Sequence, residues 1–358
     1  MAYRKNVVFA AGCIGMLIFG ISLLSMGSLL PSIAERFHMD AITSGMLVSM
    51  LPFGVLAGSV VFGPVVDRFG YKLLLSLSAL LVIAGLEALA YASSFGMLQL
   101  AILAIGFGGG TLNGGTNALV ADISAGERGA KLSLLGVFFG VGALGMPVLL
   151  GTLSGYAYST ILAGIGAVLL VAVLYFALIT FPVPKHAQGF PLAEGMRLVR
   201  DRGLMLIALT LLLQSSMEGV VNNWTTTFLQ QAHGIEAHDA LFALSAFVGG
   251  LTAARLVLGW VLRAVASERV LLTGIALAGV GIAVVAASTG PELASAGLAV
   301  VGIGLAAAFP LLLGYVADLY PAISGTAFSI VLAIALFGNM AINYLVGVLI
   351  AWHGAEHL

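Results

Sequence analysis

The sequence predicts an all-α, polytopic membrane protein. Of its 358 residues, 61% are hydrophobic and only 8% are charged, whereas a soluble domain carries about 25% charged residues. Eleven apolar segments follow one another along the chain, each of about 20 residues or more, the length that a helix needs to cross a bilayer. A chain of this composition cannot solvate its own surface, so we expect membrane lipid around it.

Six spans precede the longest polar break. They are apolar runs that end at charged or turn-forming residues, and they lie at Asn6–Leu30, Ile42–Val66, Leu73–Ala92, Phe95–Ala121, Leu132–Thr152 and Gly155–Phe181. The first span lacks an A-x-A cleavage site, so we expect a retained helix and not a signal peptide. The second and third are joined by a loop of a few residues, which predicts a tight helical hairpin. The fourth is rich in glycine, which is typical of close helix packing in lipid.

Five more spans follow a polar linker at 182–203, whose basic residues suit the membrane surface. They are bounded in the same way, and they lie at Leu204–Leu229, Ala240–Leu262, Val270–Ser288, Leu293–Ala317 and Ile323–Trp352. Within the linker, Pro191–Arg202 is a candidate for a short amphipathic helix.

The basic residues predict the orientation of the chain. If the N-terminus is cytoplasmic, the outer loops contain one arginine, Arg36. The cytoplasmic positions then hold Arg4, Lys5, Arg68, Lys72, Arg128, Lys131, Lys185, Arg197, Arg200, Arg202, Arg263 and Arg269. We therefore expect a cytoplasmic N-terminus and an outer C-terminus, in what we take to be a bacterial inner membrane.

An internal repeat divides the chain into two halves. Val120-Ala121-Asp122 recurs as Val316-Ala317-Asp318, an offset of 196 residues. The same offset relates several glycines at equivalent span positions, which are Gly54 and Gly250, Gly63 and Gly259, Gly108 and Gly304, and Gly142 and Gly338. The repeat predicts a six-helix bundle at 1–181, the cytoplasmic linker at 182–203 and a second bundle at 204–358 with five helices. The partner of the sixth span would run from 351 to 377, so the twelfth helix of such an arrangement is missing from the sequence, which ends at Leu358.

Polar residues inside spans are costly and are therefore candidates for function. The seventh span has the most: Gln214, Glu218, Asn222, Asn223 and Trp224. Gln214, Glu218 and Asn222 share one helix face by their i, i+4 spacing. Amides donate and accept hydrogen bonds, and an indole can pack on a sugar ring, so this face suits a polyhydroxylated ligand. The alternative is that the amides only join helices.

Two other spans carry amides at i, i+4 spacing. Asn113 and Asn117 lie in the fourth span, and Asn339 and Asn343 lie in the eleventh. We take all four as candidate substrate ligands, with hydrogen bonding between helices as the alternative.

Two carboxyls and one guanidinium also lie within spans. Burial in a low dielectric favours the protonated form of a carboxyl, so Glu218, with its polar neighbours, is the predicted proton-coupling group. Glu87 has apolar neighbours and is expected to be a neutral, locally bonded carboxyl. Arg255 is interpreted as a structural gate or brace that reaches toward the inner face.

Other classes of site have little support. The net charge of −1 gives no electrostatic reason to expect nucleic acid as a partner. The single cysteine, Cys13, excludes an internal disulfide and a cysteine-based zinc site. No histidine pair has metal-ligand spacing inside a span, and no Ser–His–Asp set can share one depth. We therefore expect no enzyme activity, no cofactor and no metal.

The loop between the second and third spans has a specific pattern. It reads G-x-x-x-D-R-x-G-x-K, with its fixed residues at Gly63, Asp67, Arg68, Gly70 and Lys72. Gly63 allows two backbones to approach and Gly70 suits a turn. The pattern resembles the signature loop of the major facilitator superfamily, although the family usually has a basic residue where this chain has Tyr71.

Three further motifs resemble the fucose:proton symporter branch of that superfamily. They are Glu218 followed by Trp224 and Phe228-Leu229, the run Ala254-Arg255-Leu256-Val257-Leu258-Gly259, and the run from Phe138 to Pro147. The resemblance implies alternating access by two bundles that rock around a central site, and a hexose-like sugar as substrate. The symporters of this family carry acidic residues in their first and fourth helices, which this chain lacks, so proton coupling and facilitation both stay open.

The leading hypothesis is a monomeric secondary transporter of a small polar solute, most simply a monosaccharide, with protons as a candidate second partner. An exporter of amphipathic compounds is the first alternative, which the aromatic and methionine residues support. A non-transporting membrane receptor or assembly partner is the second.

Overall fold

A computed structural model of the chain describes residues 3–39, 41–153, 155–185, 195 and 197–354. The regular structure of these residues is helical, as predicted. Residues 191–194 and 196 of the predicted amphipathic helix at Pro191–Arg202, and residues 186–190 of the linker at 182–203, lie outside the described residues.

Twelve α-helices occur among the described residues, together with a short 3₁₀ helix at Pro321–Ile323. The α-helices are α1 (Lys5–Arg36), α2 (Ala41–Phe69), α3 (Tyr71–Ala90), α4 (Phe95–Ile123), α5 (Arg128–Thr152), α6 (Tyr158–Leu178), α7 (Arg202–His233), α8 (Ala237–Ala264), α9 (Ser267–Ala286), α10 (Pro291–Leu305), α11 (Ala308–Leu319) and α12 (Ser324–His353).

The described helices provide eleven candidate membrane spans by length and apolar composition, which confirms the predicted number. Helices α10 and α11 belong to one span, Pro291–Leu319, because the helix is interrupted only at Ala306 and Ala307. Helix α1 runs to Arg36, six residues beyond its predicted end at Leu30. The apolar pattern marks the part of a helix that suits lipid, and a helix can continue past it into water.

The helices form two compact units. Unit 1 comprises Met1–Ser124, Phe138–Arg200 and Ala317–Ile330, and unit 2 comprises Ala125–Val137, Asp201–Val316 and Val331–Leu358. The first turns of α5 therefore pack within unit 2, and the first turns of α12 pack within unit 1. The division into bundles at 1–181 and 204–358 stays a prediction.

The packing within each unit reproduces the offset of 196 residues. In unit 1, a Cβ at Gly108 of α4 would lie 2.8 Å from the Ser78 carbonyl oxygen of α3. In unit 2, a Cβ at Gly304 of α10 would lie 2.6 Å from the Gly274 carbonyl oxygen of α9. Both glycines and both carbonyls are related by 196 residues, so the repeated glycines mark repeated helix contacts.

The repeat-related helices α3 and α9 differ in how much of them is covered. In unit 1, α3 packs against α4 and α6, and 56% of its most apolar stretch is buried. In unit 2, α9 packs against α10, and only 17% of the corresponding stretch is buried. Leu272, Ile275 and Val280 are exposed on α9, so this helix presents a broad apolar face.

Candidate functional site

The polar face predicted on α7 is formed by consecutive helical turns. The Gln214 side chain is only 7% exposed, and its Nε2 donates a hydrogen bond to Glu218 Oε2 at 3.0 Å. One turn further, Asn222 Nδ2 donates to the Glu218 backbone oxygen at 2.8 Å. The three side chains lie on one face, as their i, i+4 spacing predicts.

Arg255 of α8 approaches this face in unit 2. Its Nη2 lies 3.9 Å from Glu218 Oε2, and the Arg255 and Glu218 side chains are 11% and 29% exposed. Ser133 of α5 supports the same turn, because its Oγ donates to the Arg255 carbonyl oxygen at 2.8 Å. The guanidinium therefore compensates the charge of the carboxylate inside a span, where an isolated charge would be costly.

Arg255 and Glu218 were predicted as a brace and as a proton-coupling group, without a contact between them. Both are in-span charges of opposite sign, and such charges tend to pair. That rule would have predicted the contact from the sequence. The role of Arg255 as a gate or brace stays a prediction.

A ladder of amides joins α7 to α12. Asn339 Nδ2 donates to the Ser215 backbone oxygen at 3.0 Å and to Ser215 Oγ at 3.1 Å. Asn343 Nδ2 donates to Asn339 Oδ1 at 2.6 Å, and Asn343 Oδ1 accepts from Asn223 Nδ2 at 3.0 Å. A Cβ at Gly219 would lie 2.7 Å from Asn343 Nδ2, so glycine is what leaves room for the ladder. Ser215 was not among the residues predicted for the site, because its side chain belongs to no distinguishing pattern.

Trp224 lies on the same helix but lines a different space. Its ring is close to Gly347 of α12, where a Cβ would lie 3.0 Å from the indole. The indole Nε1 is buried without a hydrogen-bond partner in the described part of the chain. Trp224 also lines a largely apolar cavity of about 420 Å³ together with Met217 and Phe228.

The amides of α4 contact each other within unit 1. Asn113 and Asn117 are buried, and Asn117 Nδ2 donates to the Asn113 backbone oxygen at 2.8 Å and to Asn113 Oδ1 at 3.0 Å. The Thr116 hydroxyl also donates to the Asn113 backbone oxygen. These contacts all lie within α4 and join it to no other helix, so both roles predicted for Asn113 and Asn117 stay predictions.

The signature loop forms the predicted turn. Gly70 separates α2 from α3 with φ of 81°, a conformation that favours glycine. Asp67, near the end of α2, is only 2% exposed. Its Oδ2 accepts from the Thr326 backbone nitrogen at 2.8 Å and from Thr326 Oγ1 at 2.7 Å. A carboxylate at the start of α12 is stabilised by the free N–H groups there.

Two further polar residues of the loop, Tyr71 and Lys72, differ in their surroundings. Lys72 is exposed. Tyr71 instead donates through its hydroxyl to Asp122 Oδ2 at 2.5 Å, and Lys185 Nζ lies 2.8 Å from the same oxygen. Lys185 lies seven residues beyond the end of α6 at Leu178, and its contact with Asp122 was not predicted because it belongs to no motif or repeat. Among the described residues, no group of three or more His, Cys, Asp or Glu side chains is placed to hold a metal.

The comparisons with known proteins agree with these features. The family model of the Major Facilitator Superfamily matches residues 12–266. The uncharacterized transporter y4wD of Sinorhizobium fredii is 24% identical over 306 residues, which are 83% of this chain and 79% of the relative. The glucose/mannose transporter GlcP of Bacillus subtilis is 23% identical over 345 residues, which are 92% of this chain and 84% of the relative.

The fold is also that of a solved transporter. The crystal structure of the Major Facilitator Superfamily transporter FucP in the outward conformation superimposes with a TM-score of 0.82 at 17% sequence identity. The match covers 99% of this chain and 95% of FucP. At this identity the likeness establishes the fold, as expected from the sequence motifs.

Proposed function

Because this chain belongs to the Major Facilitator Superfamily, we propose that it is a secondary transporter that moves a monosaccharide across the membrane by alternating access. The chain is a multi-pass membrane transporter and not an enzyme. The substrate class is the further step. The observation that carries it is the amide and carboxyl face of α7, which Gln214, Glu218 and Asn222 form.

This face matches the chemistry of a sugar. Asn222 and Asn223 are exposed, and each amide offers both a donor and an acceptor to a hydroxyl group. When a sugar hydroxyl replaces water, the amide donors and acceptors keep their hydrogen bonds. An apolar solute would leave them without hydrogen bonds, so the face favours a polyol. The glucose/mannose transporter among the relatives supports the same class.

Glu218 is the proposed proton carrier. Its carboxylate is held by Gln214 at 3.0 Å and faces the Arg255 guanidinium at 3.9 Å. Protonation of Glu218 removes the negative charge that faces Arg255. The ion pair is therefore weakened when a proton binds and restored when the proton leaves. The long Nη2–Oε2 distance, beyond hydrogen-bond range, leaves Glu218 accessible to such an exchange.

Uptake of labelled glucose into proteoliposomes tests both the sugar substrate and the proton-carrying role of Glu218. We expect an inward proton gradient to drive accumulation in the unmodified chain, and Glu218→Gln to lose the accumulation. Glu292→Gln, at an exposed residue, is the matched control and should keep it. Uptake that is the same with and without the gradient would make the protein a facilitator and remove the proton role. No uptake of glucose, galactose, fucose or xylose would contradict the sugar assignment.

The apolar cavity beside Trp224 favours a second candidate function, the export of amphipathic compounds. A cavity of about 420 Å³ lined by Met217, Trp224 and Phe228 can take an apolar ring system, since methionine and aromatic side chains adapt to varied shapes. Lower resistance to lipophilic cations in cells that lack the protein, with unchanged sugar uptake, would favour this function over the first.

A further inference from the structure

A second cavity in unit 2 is lined by basic side chains. It has a volume of about 530 Å³, and Arg128, Lys131, Arg255 and Arg263 line it with one carboxylate, Glu127. The four cations come from the start of α5 and from α8. No part of the proposed sugar site except Arg255 contributes to it. A cavity with this excess of cations attracts an anion.

Backbone groups add to this positive character. The first residue of α5, Arg128, and the first residue of α9, Ser267, both line the cavity. The N-cap of α9 makes no side-chain hydrogen bond, so the N–H groups of its first turn are not capped by that residue. Two helix N-termini at one cavity favour an anionic group there.

Arg255 supplies an independent indication of a ligand. Its Nε is buried and has no hydrogen-bond partner among the described residues, although Nη2 faces Glu218. A buried guanidinium N–H without an acceptor costs free energy unless another group binds it. An oxygen of an anion in the cavity would provide that acceptor.

The surroundings of the cavity are those of a lipid-facing surface. Trp260 lines the cavity and is 78% exposed, and its neighbours on α8, Leu256 and Val257, are also exposed. Tryptophan next to basic residues is typical of the level of the lipid headgroups. The headgroup of a phospholipid could enter the cavity while its acyl chains contact the apolar side chains of α8. A soluble anion would contact the cavity alone.

We propose that this cavity binds the phosphate of an anionic phospholipid headgroup. Arg128, Lys131 and Arg263 bind the phosphate oxygens, Arg255 Nε reaches it from the inner wall, and the acyl chains lie along Leu256 and Trp260. The basic loops assign this site to the cytoplasmic leaflet, where anionic lipids are recognised by basic pockets between membrane helices.

Thermal unfolding of the purified full chain in a zwitterionic detergent tests the proposal without any transport. We expect dioleoyl phosphatidylglycerol to raise Tm saturably, by about 2–4 °C, and dioleoyl phosphatidylcholine to have no such effect. The double variant Lys131→Gln/Arg263→Gln should lose the rise. The control Arg269→Gln, an exposed arginine outside the cavity lining, should keep it.

Three results would overturn the proposal: equal rises with the two lipids, a rise that persists in the double variant, or the same rise with inorganic phosphate at equal phosphate concentration. If the double variant does not fold, the unmodified chain still tests the site. The phosphatidylglycerol effect should then shrink as sodium chloride is raised, because salt screens the attraction, and an effect independent of salt would contradict the proposal. Lipid binding at this cavity does not depend on which solute the protein transports.

Discussion

At the scale of residues, the pairing of Glu218 with Arg255 decides how a charge is accommodated inside a span. The carboxylate accepts a hydrogen bond from Gln214 of its own helix and faces the Arg255 guanidinium of α8 at 3.9 Å. Removing either member of the ion pair leaves the other charge without its partner in a low dielectric. The cost of that loss exceeds the net contribution of the intact pair.

We therefore expect Arg255→Gln to lower the stability of the protein by about 1–3 kcal/mol, less than for a fully buried pair because Glu218 is partly exposed. Thermal unfolding in detergent measures this change. Glu218→Gln in the same chain should recover part of the loss, since it removes the unpaired charge. If the double variant instead loses the sum of the losses of the two single variants, the two side chains do not interact.

A second prediction concerns the amide ladder. Gly219→Ala places a methyl group 2.7 Å from Asn343 Nδ2, so the amides of α12 must shift and lose hydrogen bonds worth about 1 kcal/mol each. We expect a lower Tm and weaker sugar uptake. Gly249→Ala of α8 is the control, because nothing lies within 4 Å of its Cβ, and alanine there should be neutral or stabilising. A Gly219→Ala chain as stable as the control would contradict the close approach.

At the scale of elements, the repeated glycine contacts determine how closely helices pack. Gly108 in unit 1 and Gly304 in unit 2 face backbone carbonyls at equivalent positions. Lipid offers no hydrophobic driving force between helices, so close backbone approach carries much of their association. The two contacts should therefore respond alike to the same substitution.

We expect Gly108→Ala and Gly304→Ala each to lower Tm by several degrees, since each Cβ would lie under 3 Å from a neighbouring backbone. Gly279→Ala of α9, which has open space around it, is the control and should not lower Tm. Thermal unfolding of the three purified variants decides the matter. A lower Tm in only one of the two variants would mean that the helix contacts at Gly108 and Gly304 are not equivalent.

The elements were more predictable than the contacts between them. Apolar length alone identified the eleven spans, because a membrane helix is defined by a composition that the sequence displays directly. The amide spacing predicted which side chains of α7 share a face. It could not predict that Asn339 would reach Ser215 of α7, because that contact depends on how two distant helices are rotated. The burial of Asp67 against Thr326 could not be predicted either, because it depends on a partner 259 residues away.

At the scale of the whole molecule, the distribution of basic residues predicts which side of the membrane each loop faces. Ser93 follows α3 and Ala125 follows α4, and both are exposed. The positive-inside rule puts Ser93 outside and Ala125 in the cytoplasm. The orientation can be tested with one reactive cysteine at a time, after the buried Cys13 has been replaced by alanine.

We expect Ser93→Cys to react with a membrane-impermeant maleimide in intact cells, and Ala125→Cys to react only after the cells are permeabilised. Labelling is read by a mass shift on a gel. The Cys13→Ala chain without an added cysteine is the control for background labelling. The reverse pattern would invert the orientation and would move the proposed phospholipid site to the outer leaflet.

The difference between α3 and α9 has a consequence for how freely the sequence can vary. Over α3, 56% of the apolar stretch is buried, so most substitutions meet a neighbouring helix. Over α9, only 17% is buried, and the counterpart of α6 in the repeat would fall at residues 354–374, outside the described residues except 354. Within the described chain, a leucine-to-alanine change should therefore cost less stability at Leu272 of α9 than at Leu75 of α3, which is 0% exposed.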